Sequence, residues 1–110
     1  MDEGASGRRV INIGLPELSE GQLIEVGELA QETIIKHVFD VLNRSDVKDI
    51  EVTMRINREE TLDLEVEVYL EVPIFVKVDV EGLIDEAVEK AYAVVERKLR
   101  EIADEGKTQA

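Results

Sequence analysis

Two consecutive stretches alternate apolar and polar residues with a period of two, and that alternation limits the fold more than any other feature. In the first, Ile50, Val52, Met54 and Ile56 interleave with Glu51, Thr53, Arg55 and Asn57. In the second, Leu62, Leu64, Val66, Val68, Leu70 and Val72 interleave with Asp63, Glu65, Glu67, Tyr69 and Glu71. Successive side chains of a strand point to opposite faces, so each stretch reads as a strand with one buried and one solvated face. The polar turn Arg58-Glu59-Glu60 joins them as an antiparallel hairpin. Both apolar sets are even-numbered, so the register must keep even residues opposite even ones. A three-residue loop with Asn57 opposite Thr61 meets that condition. It sets Arg55 across from Asp63, Thr53 across from Glu65 and Glu51 across from Glu67, the last a repulsive pair. A slip of one residue would drive the acids of the second strand into the core.

Pro73 interrupts the hydrogen-bonding row, having no amide proton. Ile74, Val76 and Val78 keep the even parity, so the chain is expected to continue extended beyond a kink. The second strand is then longer than its hairpin partner, and its excess edge calls for another strand. Arg9-Val10-Ile11-Asn12-Ile13 reads as a short edge strand that could supply it, and a second copy of the molecule is the other source.

Two helices accompany the hairpin. Ser19 and Gln22 have the spacing of a capping box, with Leu18 and Leu23 placed as a hydrophobic staple. From Glu20 to about Leu42 one polar stripe recurs through Glu25, Glu28, Glu32, Lys36 and Asp40. The remaining face is wider than the ~100° stripe of an ordinary surface helix, so it must be covered on two sides or meet a partner. Asp79 caps the last helix, in which Leu83, Ile84, Ala87, Val88, Ala91, Val95 and Leu99 repeat every three or four residues. Acids fill its first turns and Arg97, Lys98 and Arg100 its last, complementing the helix dipole. The order (β)-α-β-β-α predicts an α+β two-layer sandwich, a hairpin-based antiparallel sheet covered by two helices. One domain spans residues 9–103, with a disordered tail at 1–8 and a polar tail at 104–110.

Composition narrows the function. The 110 residues carry 26 acids against 13 bases, a formal net charge of −13. That sign opposes a nucleic-acid backbone or an anionic membrane as main partner. The chain has no cysteine, which excludes disulfides, iron–sulfur ligation, thiolate zinc and a cysteine nucleophile. It has one histidine, His37, so no multi-histidine metal site. No apolar run reaches the ~18–20 residues of a membrane span, and the N-terminus lacks a signal-peptide core. A cytoplasmic protein is expected. Charged residues are 35% of the chain, with few Asn and Gln, a balance like that of hyperthermophile proteins.

Candidate chemistry is sparse. His37 lies mid-helix near Val38 and Val41, and no cysteine, second histidine or obvious serine nucleophile supports a general base or metal ligand there, so it reads as a boundary residue on the helix, between its buried and solvated faces. Glu51, Asp63, Glu65, Glu67 and Glu71 form an acidic row on the outer face of the hairpin. Same-face neighbours about 6.5–7 Å apart are too regular and flat for a closed metal cage. The row is either a solvated face that discourages edge-to-edge aggregation or a surface for a basic protein. Tyr69 within it, and Phe75 beside the kink, are candidate contact residues. Gly4-Ala5-Ser6-Gly7 matches the letters of a KH-domain GXXG loop, but it does not lie between two helices. Walker, Rossmann, HExxH, EF-hand and GxSxG patterns are absent.

The approach to the first helix, Ile13-Gly14-Leu15-Pro16-Glu17-Leu18-Ser19-Glu20, the alternating Leu62–Val72 strand and the stretch Lys77-Val78-Asp79-Val80-Glu81-Gly82-Leu83-Ile84-Asp85-Glu86-Ala87 together resemble a small archaeal family of unknown function. The resemblance covers roughly residues 10–103. It implies a fold and no catalytic role, and a gene neighbourhood of prefoldin and KEOPS-type components, hence protein homeostasis or translation. The helix and strand order also resembles KH-like and NifU C-terminal-like domains by topology alone, without the internal GXXG or CxxC of either. The expectation is a non-enzymatic, homodimeric interaction module that presents acidic surface to a basic protein, without metal or cofactor. A nucleic-acid-associated, KH-like domain is the alternative, though its basic residues are scattered.

Overall fold

The computed structural model describes residues 4–108, with side chains through residue 105. Its elements are β1 (Ala5–Leu15), α1 (Glu20–Val41), a short 3-10 turn at Arg44–Asp46, β2 (Asp49–Arg58), β3 (Leu62–Val72) and α2 (Val80–Thr108). The strands form one antiparallel sheet in the order β1-β3-β2. The order β-α-β-β-α and the α+β class are those expected.

β3 occupies the centre because it is the most regular alternating segment. Its even-numbered residues Leu64, Val66, Val68, Leu70 and Val72 are fully buried. Burying a side chain of that size is worth about 1.5–3 kcal/mol, which makes this row the main contribution of the sheet to the core. The inner positions of β1, Ile11 and Ile13, lie beside Val66 and Leu64 and are buried with them. Both helices cover this one face. The other face carries no layer among the described residues.

The hairpin keeps the required parity but in a register two residues away from that expected. Asn57 pairs with Asp63 rather than Thr61, so Arg55 faces Glu65, Thr53 faces Glu67 and Glu51 faces Tyr69. The shift has an electrostatic reason. It replaces a Glu–Glu cross-strand pair by a Glu–Tyr pair and retains an Arg–carboxylate pair.

The first strand is longer than expected. It starts at Ala5 and runs alongside the whole of β3, from Ala5 opposite Val72 to Leu15 opposite Leu62. Residues 5–8 therefore belong to the sheet and not to a tail, and β1 supplies the partner that the length of β3 demands. Gly7 shows why local patterning missed it. It sits on the inner face, where an added Cβ would lie 3.1 Å from the side chains of both Val80 and Ile84. A Cβ there would be tighter than ordinary contact and make both side chains give way, so the bare backbone lets α2 approach β1 this closely. Residues 1–3 and 109–110 of the two expected tails lie outside the described residues, and 104–108 continue α2.

β3 does not continue past Pro73. The segment turns at once, with Val76 N–H donating to the Pro73 carbonyl at 3.0 Å. Ile74 and Phe75 are exposed, while Val76 and Val78 pack against the core. Parity carried through a proline could not register this turn.

The helix boundaries match their caps. Ser19 Oγ accepts the Gln22 N–H at 3.2 Å, and Gln22 Oε1 accepts the Ser19 N–H at 2.9 Å. Asp79 Oδ1 accepts from Gly82 N–H at 3.1 Å at the start of α2. The broad apolar face of α1 is explained by cover on two sides, from α2 and from the sheet, burying Leu23, Val26, Ala30, Ile34 and Val38. Ile24 and Val41 are left exposed.

Candidate functional site

The uncovered face of the sheet gathers most of the acidic candidates. Opposed residues in an antiparallel ladder share a face, so the outer face consists of five rows read across β1, β3 and β2. Ser6, Glu71 and Asp49 form the first; Arg8, Tyr69 and Glu51 the second. Val10, Glu67 and Thr53 follow, then Asn12, Glu65 and Arg55, and last Gly14, Asp63 and Asn57. The acids of β3 thus run down the middle, with Asp49 and Glu51 on one flank and Arg8 on the other. Phe75 is not among these rows. It lies beyond the end of β3 in the 73–79 turn, 70% exposed.

The carboxylates are held by basic and polar neighbours. Glu65 accepts from Arg55 at 2.9 Å and from Asn57 at 3.4 Å. Glu67 pairs with Arg8 of β1. Glu71 is approached by Lys48 at 3.4 Å and accepts the Tyr69 hydroxyl at 3.0 Å. That hydrogen bond to Glu71, with lesser contributions from desolvation and the Glu71 charge, raises the Tyr69 pKa above its ordinary value. The Arg8 guanidinium also lies 4.9 Å from the centre of the Tyr69 ring, a cation–π contact. Glu51 is exposed and has no ion-pair partner among the described residues. The face is a lattice of solvent-screened ion pairs, in which one tyrosine is held between a cation and an anion.

Arg8 was not foreseen as part of this surface, because Gly4 through Arg8 looked like a tail. The signal that could have found it is the placement of Arg8, Val10 and Asn12 on one parity with Ile11 and Ile13 on the other. The Ala5–Gly7 stretch lies within β1, which removes the GXXG likeness.

His37 sits elsewhere, at the interface of the two helices. It is 9% exposed, and its Nε2 lies 3.2 Å from Glu86 Oε1 of α2. The pair ties α1 to α2, with Glu89 and Lys90 lining the same shallow depression; among the described residues no group of three or more His, Asp or Glu could hold a metal ion. Among the same residues no helix is long and apolar enough to cross a membrane.

Comparison with known proteins adds the lineage. An uncharacterised protein of Thermococcus kodakarensis is 79% identical over 106 residues, covering 96% of this chain and 98% of its own length. A crystal structure from Thermococcus onnurineus superposes with a TM-score of 0.88 at 83% identity, covering 93% of this chain and 99% of that one. The solution structure of a hypothetical protein from Methanothermobacter thermautotrophicus gives a TM-score of 0.67 at 26% identity, over 80% of this chain and 96% of that one. The relatives are archaeal, as the resemblance implied, and the sheet and helix arrangement extends to a distant methanogen. A family described as "Protein of unknown function (DUF3194)" matches residues 15–98, and the chain belongs to that family.

Proposed function

We propose that the chain is a non-enzymatic interaction module whose uncovered sheet face docks a basic protein surface. One observation carries the reading: among the described residues one side of the sheet has no covering layer, and its paired rows present six carboxylates, from Asp49, Glu51, Asp63, Glu65, Glu67 and Glu71, against the two guanidinium groups of Arg8 and Arg55. A cationic partner is steered to such a surface over long range. On arrival its lysines and arginines exchange with Arg8, Arg55 and Lys48, whose pairs are solvent-exposed and individually weak. Tyr69, half-buried and already seated under a guanidinium, supplies a rigid amphipathic contact at the centre. The same negative field repels phosphate backbones, which sets the nucleic-acid alternative aside in this reading.

The test is a titration of the labelled full chain with a lysine-rich oligopeptide, followed by amide chemical shifts. Shifts concentrated on β1, β3 and β2 outer-face residues, and weakened about tenfold or more as salt shortens the Debye length from about 10 Å toward 3 Å, support the reading. Shifts spread equally over the acidic helix positions Glu25, Glu28, Glu32 and Glu89, or binding indifferent to salt, would overturn it.

A further inference from the structure

β2 is an edge strand. β3 pairs with one side of it and no described strand pairs with the other, so alternate N–H and C=O groups along its length lack a strand partner, although the Val52 carbonyl accepts from Gln31. Natural edges are blunted by proline, bulges, charged side chains along the strand or charges turned toward the core. β2 carries two exposed charges on its outer face, Glu51 and Arg55, one of each sign. Within Ile50–Ile56 there is neither proline nor glycine, and the inward side chains Ile50, Val52, Met54 and Ile56 are all aliphatic and all half-exposed. Above them α1 leaves a groove of ≈ 480 Å³, with Leu23, Ile24 and Gly27 on the helix side, Met54 and Ile56 on the strand side and Leu64 below. Gly27 is a poor helix former in the middle of a helix, yet an added Cβ would meet no atom within 4 Å. Contacts among the described residues give no packing reason for a glycine at this position.

We propose that a second copy of this chain covers this face, pairing β2 with β2 antiparallel about a two-fold axis at Thr53 to make one six-stranded sheet. The choice of partner rests on self-complementarity. A two-fold pairing must keep inward side chains opposite inward ones. An axis at Thr53 is the one that maps all four inner aliphatics onto each other, Ile50 on the partner's Ile56 and Val52 on the partner's Met54. The same axis sets Glu51, which has no ion-pair partner among the described residues, opposite the partner's Arg55, whose guanidinium in each chain also holds Glu65, and does so twice by symmetry. Opposite charges directly across neighbouring strands attract. At the two ends Lys48 meets the partner's Arg58, each cation already held by a carboxylate, Lys48 by Glu71 and Arg58 by Glu20.

The helices agree with that axis. Gln31 Nε2 donates to the Val52 carbonyl at 3.1 Å, which places the middle of α1 over the middle of β2. Two helices about 10 Å wide above three strands about 4.8 Å apart bring the helix layer out to the sheet edge. The two copies of α1 then meet antiparallel near Gln31. Gly27 and Ile35 lie one helical turn to either side of Gln31, so the notch in one copy receives the half-buried Ile35 of the other. The pairing also joins two acidic outer faces into one continuous surface.

Sedimentation equilibrium of the full chain over a concentration series tests the proposal. The expected mass is twice the 12.4 kDa of the chain. Glu51→Arg alone and Arg55→Glu alone each set like charges opposite one another at two symmetric places, and each weakens the dimer about tenfold. Mixing the two variants restores association, as does combining both changes in one chain, because every arrangement again brings opposite charges together. Gly27→Leu fills the notch, weakens the dimer and leaves the thermal midpoint equal or higher, which separates blocked association from misfolding. A single-chain mass at submillimolar concentration overturns the proposal, and so does a dimer that neither charge reversal weakens. Protection of β2 amides by a lysine-rich peptide, with none gained on raising the chain's own concentration, assigns the edge to another protein and overturns it equally.

Discussion

β1 and β2 both flank β3, yet the row that joins Gly7, Leu70 and Ile50 passes from a buried glycine through a fully buried leucine to a half-exposed isoleucine. On the β1 side α2 closes down. Val80 and Ile84 press on Gly7, Asp85 takes the Arg9 guanidinium, and the Tyr92 hydroxyl donates to the Asn12 carbonyl at 3.0 Å. On the β2 side α1 reaches the sheet through Gln31 and through the Arg58–Glu20 pair at 2.5 Å, with an apolar groove between these two bridges. An edge crowded by a helix ends a sheet, whereas an edge left with aliphatics half in water invites continuation. The difference lies in what each glycine meets: Gly7 of β1 lets α2 come near, whereas a Cβ added at Gly27 of α1 would meet no atom within 4 Å among the described residues.

The largest effect should come from filling the crowded side. Gly7→Leu forces a side chain against Val80 and Ile84 and should cost about 1–3 kcal/mol or more in chemical denaturation. Gly27→Ala, on the open side, should instead raise stability by roughly 0.5–1 kcal/mol, since it relieves a helix glycine without a clash. Expectations of opposite sign for two buried glycines make a sharp comparison: if Gly7→Leu proves neutral, α2 does not hold β1 in the way described.

A smaller effect is expected where α2 caps the β1 edge by a side chain. Tyr92→Phe removes the donor to the Asn12 carbonyl and should cost about 0.5–1.5 kcal/mol, toward the lower end because Tyr92 is 42% exposed and water can replace it. The sedimentation mass should not change, because this edge takes no part in pairing copies. A change in mass would move the interface from β2 to β1.

Much of this architecture was legible because the periods are dense and local. The parity of β2 and β3, the Ser19–Gln22 box and the Asp79 cap depend on residues a few positions apart, and all are present. β1 was only half legible. Its inner positions hold Gly7 and Arg9 where apolar residues would be expected, and both make sense only against Val80, Ile84 and Asp85 of a distant helix. Hairpin parity does not distinguish registers two residues apart; cross-strand charge separates them at Glu51, which the observed register sets opposite Tyr69 instead of Glu67. In the candidate site the acidic file of β3 was readable from alternation, while Arg8 was not, since its contact with Tyr69 depends on a strand pairing across most of the chain. Phe75 left the site because a proline turn intervenes.

The smallest expected effect concerns the outer face itself, where the β3 residues differ from those on the inner side in being able to titrate. The Tyr69 hydroxyl donates to the Glu71 carboxylate, and tyrosinate formation would both lose that bond and set two anions side by side. The Tyr69 pKa is accordingly raised above 10.0 in the folded chain. A raised pKa means that the folded state favours the protonated phenol. Its contribution to stability is complete below the unfolded value near 10 and is lost as pH climbs through the folded value. Glu71→Gln keeps an acceptor but removes the charge, so the midpoint of Tyr69 ionisation should fall toward the ordinary value. Tyrosinate absorbance in a Tyr92→Phe background, where Tyr69 is the remaining tyrosine, reads that shift directly. A midpoint unmoved by Glu71→Gln would mean that Arg8 and the sheet, rather than the neighbouring carboxylate, set the state of the central tyrosine, and the acidic face would then be less closely coupled than its hydrogen bonds indicate.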